Sequence, residues 1–370
     1  MKLADVFNPL PLPSGVVAPN RLVMAPMTTW SSNPDATIHP DELTYLRRRS
    51  DGIGMVMTAA CYVIPHGKAF PGQWGCHTDA MLPSLAAACE AIHAGGALAV
   101  LQLHHGGRMS STELLGHAPV SASAVAPMRA DAETPRALTH EEVLETIDAF
   151  AAATRRAITA GYDGVEIHGA NTYLPQQFFS PHSNRREDAW GGDVHARMRF
   201  PLTLVHACLD AAREAARPFA VGYRLSPEEV EEPGITIDDT LAFVDVLAGT
   251  ALDWLHVSTR DYRKGSLRDR SDSRRPTKLI IDAVAGRMPV IGVGLFYAAE
   301  DLSLPLEDGC AAVALGRGLL MDPDWVRKLR EARATEIVAT LPAEGGDVSL
   351  SIPGPMYDRI RSVKGWLPLR

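Results

Sequence analysis

The chain alternates short apolar runs with longer amphipathic segments over its whole length. Most of the short runs are apolar at every position, which is typical of strands covered on both faces. In the longer segments apolar residues recur every three or four positions, which predicts amphipathic helices. Thr139 and Glu142 have the spacing of a capping box at the start of one such helix. The candidate strands are residues 21–27, 54–63, 97–104, 164–169, 219–226, 253–259, 289–295 and 310–316.

Eight strands, each followed by a helical segment, predict a single α/β domain, the eight-stranded parallel (β/α)8 or TIM barrel. A doubly wound open sheet has the same alternation, but it would divide a chain of this length into two domains. No linker divides the 370 residues. We therefore expect the barrel to occupy residues 1–342, with a polar loop insertion at 105–138 and a C-terminal tail at 343–370.

Composition and charge narrow the class of protein. Hydrophobic residues make up 46% of the chain and charged residues 22%, as in ordinary globular proteins. The formal net charge of -8 argues against a nucleic-acid partner, because phosphate affinity depends on an excess of basic residues. No apolar run is long enough to span a bilayer, and the chain starts without an apolar segment of the signal-peptide type. We therefore expect a cytoplasmic protein without a membrane partner.

The sequence predicts no metal site. The five cysteines are scattered, and none lies in a C-x-x-C pair, so neither a disulfide framework nor a zinc or iron–sulfur site is indicated. His104 and His105 are adjacent, but no third ligand follows at a suitable spacing, so we interpret them as packing residues. Arg108 is interpreted as a structural hydrogen-bond donor.

In a barrel of this kind the reactive groups collect at the carboxyl ends of the strands. Polar and small side chains are found at those ends, most densely in "HGANTYLPQQFFSPHSN" at residues 168–184. A strand-to-helix connection needs only a turn and an N-cap, so this stretch indicates a site. The candidates are Ala25, Pro26, Met27, Thr28, Trp30, Ala60, Gln102, His168, Asn171, Tyr173, Arg224, Gly294, Gly316 and Arg317.

Two of these candidates suit a polar heterocycle. The amide of Gln102 donates and accepts at once, which matches a ring edge that carries C=O and N–H side by side. Arg224 ends a buried strand, where an unpaired charge is costly, so it needs an anionic or polar partner. That partner is either a bound ligand or the acidic stretch at residues 228–232.

The ends of the last two strands suit a phosphate group. Gly294 and Gly316 let backbone N–H groups approach an anion. Arg317 adds a positively charged guanidinium that can form a bidentate hydrogen bond with the anion. Loops after the seventh and eighth strands are a recurrent phosphate position in these barrels. Two tight barrel turns are the alternative interpretation.

Four stretches follow one another along the chain: "NRLVMAPMT", "LQLHHGGR", "GYDGVEIHGANTYLPQQFFSPHSNRREDAWGG" and "ALGRGLLMDPDW". Together they extend over nearly the whole chain and resemble the old yellow enzyme family of FMN-dependent ene-reductases, or NADH:flavin oxidoreductases. The long central motif is highly specific for this family, whereas the phosphate-loop glycines are not.

The resemblance implies an eight-stranded barrel that holds tightly bound, non-covalent FMN at its carboxyl-end face. Such an enzyme takes hydride from NAD(P)H and passes it to an alkene activated by a carbonyl or nitro group. The residues implied to surround FMN are Ala25, Pro26, Met27, Thr28, Ala60 and Gln102 at the ring, Arg224 near N1, and Gly294, Gly316 and Arg317 at the phosphate.

The resemblance also implies a role for the polar residues of the central motif. His168 and Asn171 match the pair that binds the activating oxygen of the substrate, and Tyr173 matches the proton donor. Two donors beside one oxygen polarise a carbonyl group. A tyrosine with a reference pKa near 10 stays protonated at neutral pH. Trp30 is either a residue of the substrate pocket or a core aromatic.

Some positions leave the branch of the family open. Thr28 and Asn171 stand where one branch has cysteine and histidine, whereas Gly365 and Trp366 are similar to that same branch. The tail from Lys364 to Arg370 is expected to pack against a neighbouring subunit, as in similar enzymes, which would make the protein a homo-oligomer.

Other functions also stay open. A redox-neutral C=C isomerase or a catalytically silent flavin-binding protein would use the same flavin site. An aldolase is disfavoured, because no lysine ends a predicted strand. The loop at residues 260–275 carries seven basic and three acidic residues. It is interpreted as a solvated surface loop, and the alternative is that Arg268 and Arg270 contact the phosphates of NAD(P)H or an acidic substrate.

Overall fold

The barrel predicted from the apolar runs is present in the computed structural model, which describes all 370 residues. Its strands are β1 Leu22–Met24, β2 Met55–Met57, β3 Leu98–His104, β4 Gly164–Gly169, β5 Ala220–Leu225, β6 Trp254–Ser258, β7 Val290–Val293 and β8 Ala312–Leu315. Each strand pairs in parallel with the next one along the chain. Because β8 also pairs with β1, the ring is closed and the predicted fold class is confirmed.

Helices surround this ring and cover its outer face. The main ones are α1 Pro40–Arg49, α2 Leu82–His93, α3 His140–Thr159, α4 Arg199–Arg213, α5 Ile237–Leu247, α6 Pro276–Val284, α7 Ser303–Asp308 and α8 Trp325–Arg330. The predicted capping box begins α3: Thr139 Oγ1 accepts from the Glu142 N–H at 3.2 Å, and the Glu142 carboxylate accepts from the Thr139 N–H at 2.9 Å. None of the helices combines the length and the apolar character needed to cross a bilayer.

Shorter elements fill the loops. The additional helices are Thr112–Leu115, Leu174–Phe179, Val194–Arg197, Arg317–Met321, Gly346–Ser349 and Gly354–Ser362. Single 3-10 turns lie at Leu3–Phe7, Pro65–Gly67, Asp79–Met81, Gly107–Met109, Ala299–Leu302 and Ala334–Glu336. The additional strands are Leu10–Pro11 with Val17–Ala18, Val120–Ser121 with Arg136–Ala137, and Cys61–Tyr62 beside the end of β3.

The second predicted strand, residues 54–63, is divided in the structure. β2 ends at Met57, and the chain pairs with β3 again only at Cys61–Tyr62. The side chain of Thr58 explains the break, because its hydroxyl oxygen accepts the N–H of Gln102 at 3.1 Å. A side-chain oxygen thus takes the place of a backbone carbonyl in the ladder, and the released backbone turns and brings Ala60 to the mouth of the barrel.

The interior of the barrel is filled by a separate apolar cluster that includes Trp254. The indole of Trp254 lies against the backbone of Gly222 on β5, where a Cβ atom would overlap its ring. Gly222 is therefore required by close approach rather than by its backbone angles. Residues of the amino-terminal hairpin, Leu10, Leu12, Val16 and Ala18, belong to the same cluster and close the amino-terminal end of the barrel.

The tail at residues 343–370 folds back onto its own barrel. Arg49 on α1 is buried, and its guanidinium donates to the carbonyl of Leu350 at 2.9 Å and to that of Ser351 at 3.2 Å. At the end of the tail, the Arg370 N–H donates to the carbonyl of Leu341 at 2.9 Å. Both ends of the tail are thus held within one chain, and the contact with a second subunit stays a prediction.

The close packing at Gly222 can be tested by substitution. Gly222→Ala should lower the free energy of unfolding by about 1–3 kcal/mol, because the added methyl group must displace the Trp254 indole inside a filled barrel. Urea denaturation monitored by circular dichroism measures the change. Gly354→Ala is the matched control, because the space around Gly354 is open. Equal stability of the two variants would contradict this account of the barrel interior.

Candidate active site

Strands β3, β4 and β6 enclose one buried carboxylate inside the barrel, that of Glu166. Its oxygens accept hydrogen bonds from Gln102 Nε2 at 2.7 Å, from the Trp254 indole N–H at 3.0 Å and from His256 Nδ1 at 2.9 Å. Burial raises the pKa of Glu166, but the charges of His256 and Arg224 and these hydrogen bonds outweigh it, so the pKa lies below its usual value. Glu166 is therefore ionised.

Arg224 on β5 supplies the positive charge next to this carboxylate. Burial lowers the pKa of Arg224, and the charge of Glu166 acts in the opposite direction. One nitrogen of the guanidinium donates to Ser258 Oγ at 3.0 Å, whereas the buried Nε has no partner in the protein. A buried N–H without an acceptor costs free energy, so this arginine is poised to bind a ligand.

The alternative partner for Arg224, the acidic stretch at residues 228–232, is engaged elsewhere. Glu228 accepts from the Ser266 hydroxyl at 2.8 Å. Glu229 accepts from Gln176 Nε2 at 2.7 Å. No ion pair joins Arg224 to this stretch, and the ligand interpretation is therefore the one that the geometry favours.

The loop after β4 contains a strained pair of residues. Asn171 and Thr172 both have positive φ angles, 55° and 65°, which residues other than glycine rarely adopt. Ser226 Oγ accepts the Asn171 N–H at 2.9 Å. Gln176 Oε1 accepts the Thr172 N–H at 2.9 Å, and Gln177 Nε2 donates to the Thr172 carbonyl at 2.6 Å. The two glutamines thus hold the strained backbone in place.

This backbone brings Tyr173 next to His168. The two rings meet edge to face with centroids 4.8 Å apart, and Tyr173 makes a similar contact of 4.2 Å with His104. Burial lowers the pKa of His168 well below its usual value, and nearby positive groups lower it further. Since His168 Nδ1 accepts the Ala170 N–H at 3.3 Å, the neutral ring carries its proton on Nε2. Burial raises the pKa of Tyr173, so its phenol is protonated.

The predicted phosphate loops line a small cavity of about 150 Å³. The lining residues are Thr259, Arg260, Val293, Gly294, Leu295, Phe296, Ala314, Gly316 and Arg317. A Cβ atom on Gly316 would lie 3.6 Å from Met27 Sδ and 3.7 Å from Ala25 Cβ, so this cavity adjoins the end of β1. A larger cavity, of about 520 Å³, lies at the opposite end of the barrel near Leu12 and Met288, away from these groups.

The family model described as the NADH:flavin oxidoreductase / NADH oxidase family matches residues 5–336. The chain belongs to this family, that of the old yellow enzyme. It is 43% identical to the "Probable NADH-dependent flavin oxidoreductase YqiG" of Bacillus subtilis, over all of this chain and 99% of that protein.

Two further comparisons place the chain within the family. It is 41% identical to the NADH:acrylate oxidoreductase of Vibrio harveyi over 96% of this chain but only 36% of that protein. The chain therefore spans about a third of the length of that relative. Among solved structures, morphinone reductase superposes with a TM-score of 0.75 at 28% identity, over 89% of this chain and 90% of that one.

FMN is the cofactor of this family, with NAD(P)H as the reductant. The site fits FMN on three observations. The Nε of Arg224 is buried without a partner. Ala25 and Ala60 keep the mouth of the barrel open to a flat ring, since both are buried and have small side chains. The cavity beside Gly316 is lined by Arg260 and Arg317, whose charges suit a phosphate group.

Two further candidates, Thr28 and Trp30, lie near the rim of the barrel. Thr28 is half-buried at the mouth, and its neighbour Thr29 instead donates to the buried carboxylate of Glu42. Trp30 is half-buried, and its ring lies 6.2 Å from that of Phe70 and 6.0 Å from the guanidinium carbon of Arg359. Trp30 therefore contacts the tail at the rim as well as the core.

His104, His105 and Arg108 are all buried next to the mouth. Burial lowers the pKa of His104 to about 3, so its ring is neutral. Arg108 donates to the carbonyls of Val125 and Ala126, both at 3.2 Å.

The basic loop at residues 260–275 forms ion pairs both within itself and with neighbouring segments. Arg263 and Arg274 pair with aspartates of the loop, and Arg275 pairs with Asp308. Arg268 donates to the carbonyls of Glu229 and Glu231 at 2.6 and 2.7 Å and pairs with Glu232. The alternative in which Arg268 contacts nucleotide phosphates is disfavoured, because its guanidinium already holds two loops together.

Sequence reasoning missed three residues of this site. Glu166 was detectable, because it is the one charge inside the apolar strand "GVEIHG". Arg260 follows the sixth strand directly and lines the phosphate cavity beside Arg317. Ser258 gave no signal, since a serine at the end of a strand is common, and its importance lies only in its spatial neighbours.

The unpartnered guanidinium makes a prediction about cofactor affinity. Arg224→Gln should weaken FMN binding by about 10- to 100-fold, the effect of losing a charge-assisted hydrogen bond in a buried site. Titration of the apoprotein with FMN, followed by quenching of flavin fluorescence, measures the dissociation constant. Arg274→Gln is the control, because that arginine is exposed and pairs with Asp272. Unchanged affinity in Arg224→Gln would refute the assignment of Arg224 to the cofactor.

Proposed function

We propose that the protein uses FMN and NAD(P)H to reduce alkenes activated by a carbonyl or nitro group. The observation that carries this proposal is the convergence of a neutral His168 N–H, the Asn171 carboxamide and the protonated Tyr173 phenol at one loop of the mouth. When bound, FMN accepts hydride from the nicotinamide and supplies it to the substrate carbon. The residues of the chain bind, polarise and protonate the substrate.

The first step is binding of the activating oxygen. His168 Nε2–H and the Asn171 amide donate to it, and donors fixed before binding stabilise the negative charge that develops there. Burial strengthens this effect at His168, which is 4% exposed. Polarisation of the carbonyl or nitro group makes the β-carbon electrophilic.

The second step is protonation of the α-carbon. Tyr173 is the proposed acid, because its pKa is raised by burial and the phenol keeps its proton throughout the neutral range. Tyr173 follows Asn171 by two residues on a backbone that Gln176 and Gln177 hold in place. The oxygen-binding and proton-donating groups are thus fixed by one strained loop.

The proposed cofactor contacts follow the strand ends. Pro26, Met27 and Thr28 would adjoin the ring with Ala25, Ala60 and Gln102, and Arg224 would bind its N1 side. Gly294, Gly316 and Arg317 would hold the phosphate. Arg260 lines the same cavity and is the natural second cation there. Trp30 would line the substrate pocket.

The names of the similar proteins agree with this chemistry. The Vibrio harveyi relative is described as acting on acrylate, an alkene conjugated to a carboxylate. Another structure of morphinone reductase is a complex with tetrahydroNAD, an analogue of the nicotinamide donor. We propose the same two classes of ligand, an activated alkene and a nicotinamide nucleotide, for this site.

A second candidate function is electron input to another redox partner. It is favoured by the coverage of the Vibrio harveyi relative, of which this chain matches only 36%. That protein has a large part that this chain does not match, so the matched part need not carry out the whole reaction. Redox-neutral isomerisation and a silent flavin site are the remaining alternatives.

One assay separates these functions. Purified holoenzyme is supplied anaerobically with NADH or NADPH and either a panel of enones, acrylate and nitroalkenes or a one-electron dye. Consumption of the nicotinamide together with formation of the saturated product supports alkene reduction. Consumption with the dye alone supports electron input, isomerised alkene without nicotinamide supports the isomerase, and no turnover supports a silent site.

Substitution of the proposed acid should separate the two half-reactions. Tyr173→Phe should slow reoxidation of the reduced enzyme by an alkene by about 100-fold or more, the usual contribution of a positioned acid. Reduction of the flavin by NAD(P)H should stay within about twofold of wild type, because no proton from Tyr173 is needed in that step. Stopped-flow absorbance measures both rates. Equal loss of both would refute the division of roles.

The pKa shifts also fix the pH dependence of alkene reduction. Burial lowers the pKa of His168 below its usual 6.5, and desolvation raises the pKa of the half-buried Tyr173 above its usual 10.0. Both groups therefore keep their protonation state through the neutral range, and the reoxidation rate should not change across it. A change in rate with a midpoint near 6.5 would show that His168 ionises as an exposed histidine does.

A further inference from the structure

A serine hydroxyl connects the cofactor side of the site to the substrate side. Ser258 ends β6 and lies between Arg224 and Asn171. A guanidinium nitrogen of Arg224 donates to Ser258 Oγ at 3.0 Å, and Ser258 Oγ donates to Asn171 Oδ1 at 3.1 Å. No other hydrogen bond involves the Asn171 side chain, which is exposed at the mouth.

The chemistry of the three groups sets the direction of the two hydrogen bonds. Arginine has only donors, so Ser258 Oγ must accept from Arg224. The single serine proton then needs an acceptor, and Asn171 Oδ1 is the one within reach. If the carboxamide were reversed, two N–H donors would face the same hydroxyl, and its proton would have no acceptor in the protein. The observed order therefore leaves the Asn171 amide nitrogen free to donate elsewhere.

We propose that Ser258 is a positioning residue that orients the Asn171 carboxamide, so that its N–H groups face the activating oxygen of the substrate. The proposal rests on the function proposed above. Because this series of hydrogen bonds begins at the Arg224 cation, each bond also polarises the next, and the Asn171 amide becomes a better donor. The backbone contact of Asn171 with Ser226 fixes where the side chain starts but leaves its terminal amide free to rotate.

A double-mutant cycle tests whether Ser258 acts through Asn171. The variants are Ser258→Ala, Asn171→Ala, the double variant and Ser258→Thr, all as FMN-loaded holoenzyme. The probe is cyclohexenone, and its dissociation constant is measured on the oxidised enzyme from the perturbation of the flavin absorption bands. This readout needs no turnover. The affinity of each variant for FMN is measured in parallel.

If Ser258 acts through Asn171, Ser258→Ala raises the cyclohexenone dissociation constant roughly 3- to 10-fold, as expected for one hydrogen bond. In the Asn171→Ala background the same change has an effect below about twofold, since there is no amide left to orient. Ser258→Thr, which keeps the hydroxyl, restores affinity to within about twofold. If Ser258→Ala also changes the affinity for FMN by disturbing Arg224, that change is the same with and without the Asn171 side chain.

A penalty for Ser258→Ala that is equal with and without Asn171 would overturn the proposal, since it would mean that the serine acts only through Arg224. The absence of any penalty in the wild-type background would overturn it as well. A wild-type enzyme that binds cyclohexenone but reduces it with neither NADH nor NADPH would contradict the proposed reduction, while the cycle would still decide the role of Ser258. A wild-type enzyme that does not bind it would overturn both.

Discussion

The ionised carboxylate of Glu166, enclosed within the barrel, is the constraint on which the site depends. A charge without solvent is tolerated only when hydrogen bonds and an opposite charge compensate it. Gln102, Trp254 and His256 supply the hydrogen bonds and Arg224 supplies the charge, so β3, β4, β5 and β6 are held in one arrangement. The same requirement keeps Arg224 at the mouth with one donor unused. If Arg224 binds the cofactor as proposed, cofactor binding and the stability of the barrel interior are coupled.

The loop after β4 is the second rigid part of the site. Asn171 and Thr172 have left-handed backbone angles, which carry a steric cost for residues with a Cβ atom. In an unsupported loop both residues would therefore leave this conformation. The side chains of Gln176 and Gln177 offset that cost by bonding the Thr172 backbone on both sides. Donors that are fixed before the substrate arrives need no reorganisation during the reaction. In the proposed function, the glutamines of the motif thus support substrate binding by holding this backbone in place.

Much of this arrangement is accessible from the sequence. Fully apolar strands at regular spacing predict a closed parallel barrel, and the strand from 164 to 169 has the same bounds in the structure. Polar residues at strand ends identify His168, Tyr173 and Arg224, because a barrel gathers those ends on one face. The break after Met57 was missed, since it depends on a hydroxyl of Thr58 that replaces a carbonyl in the ladder.

Contacts between loops that are distant in the sequence cannot be predicted from apolar patterns or strand ends. Arg268 and Arg270 are equally basic in the sequence, yet only Arg268 is held by the backbone of residues 229–231. Ser258 is an ordinary strand-end serine until the fold places it between Arg224 and Asn171. In each case the deciding partner is more than 30 residues away, and only the closed ring brings the two together.

In the proposed reaction, hydride passes from a nicotinamide, through the bound flavin, to an alkene held at His168 and Asn171. An anaerobic spectral titration of the purified holoenzyme tests this reaction directly. NADH or NADPH should bleach the visible flavin bands, and one equivalent of cyclohexenone should restore them with formation of cyclohexanone. Flavin bands that bleach and stay bleached in the presence of excess enone and other activated alkenes would contradict it.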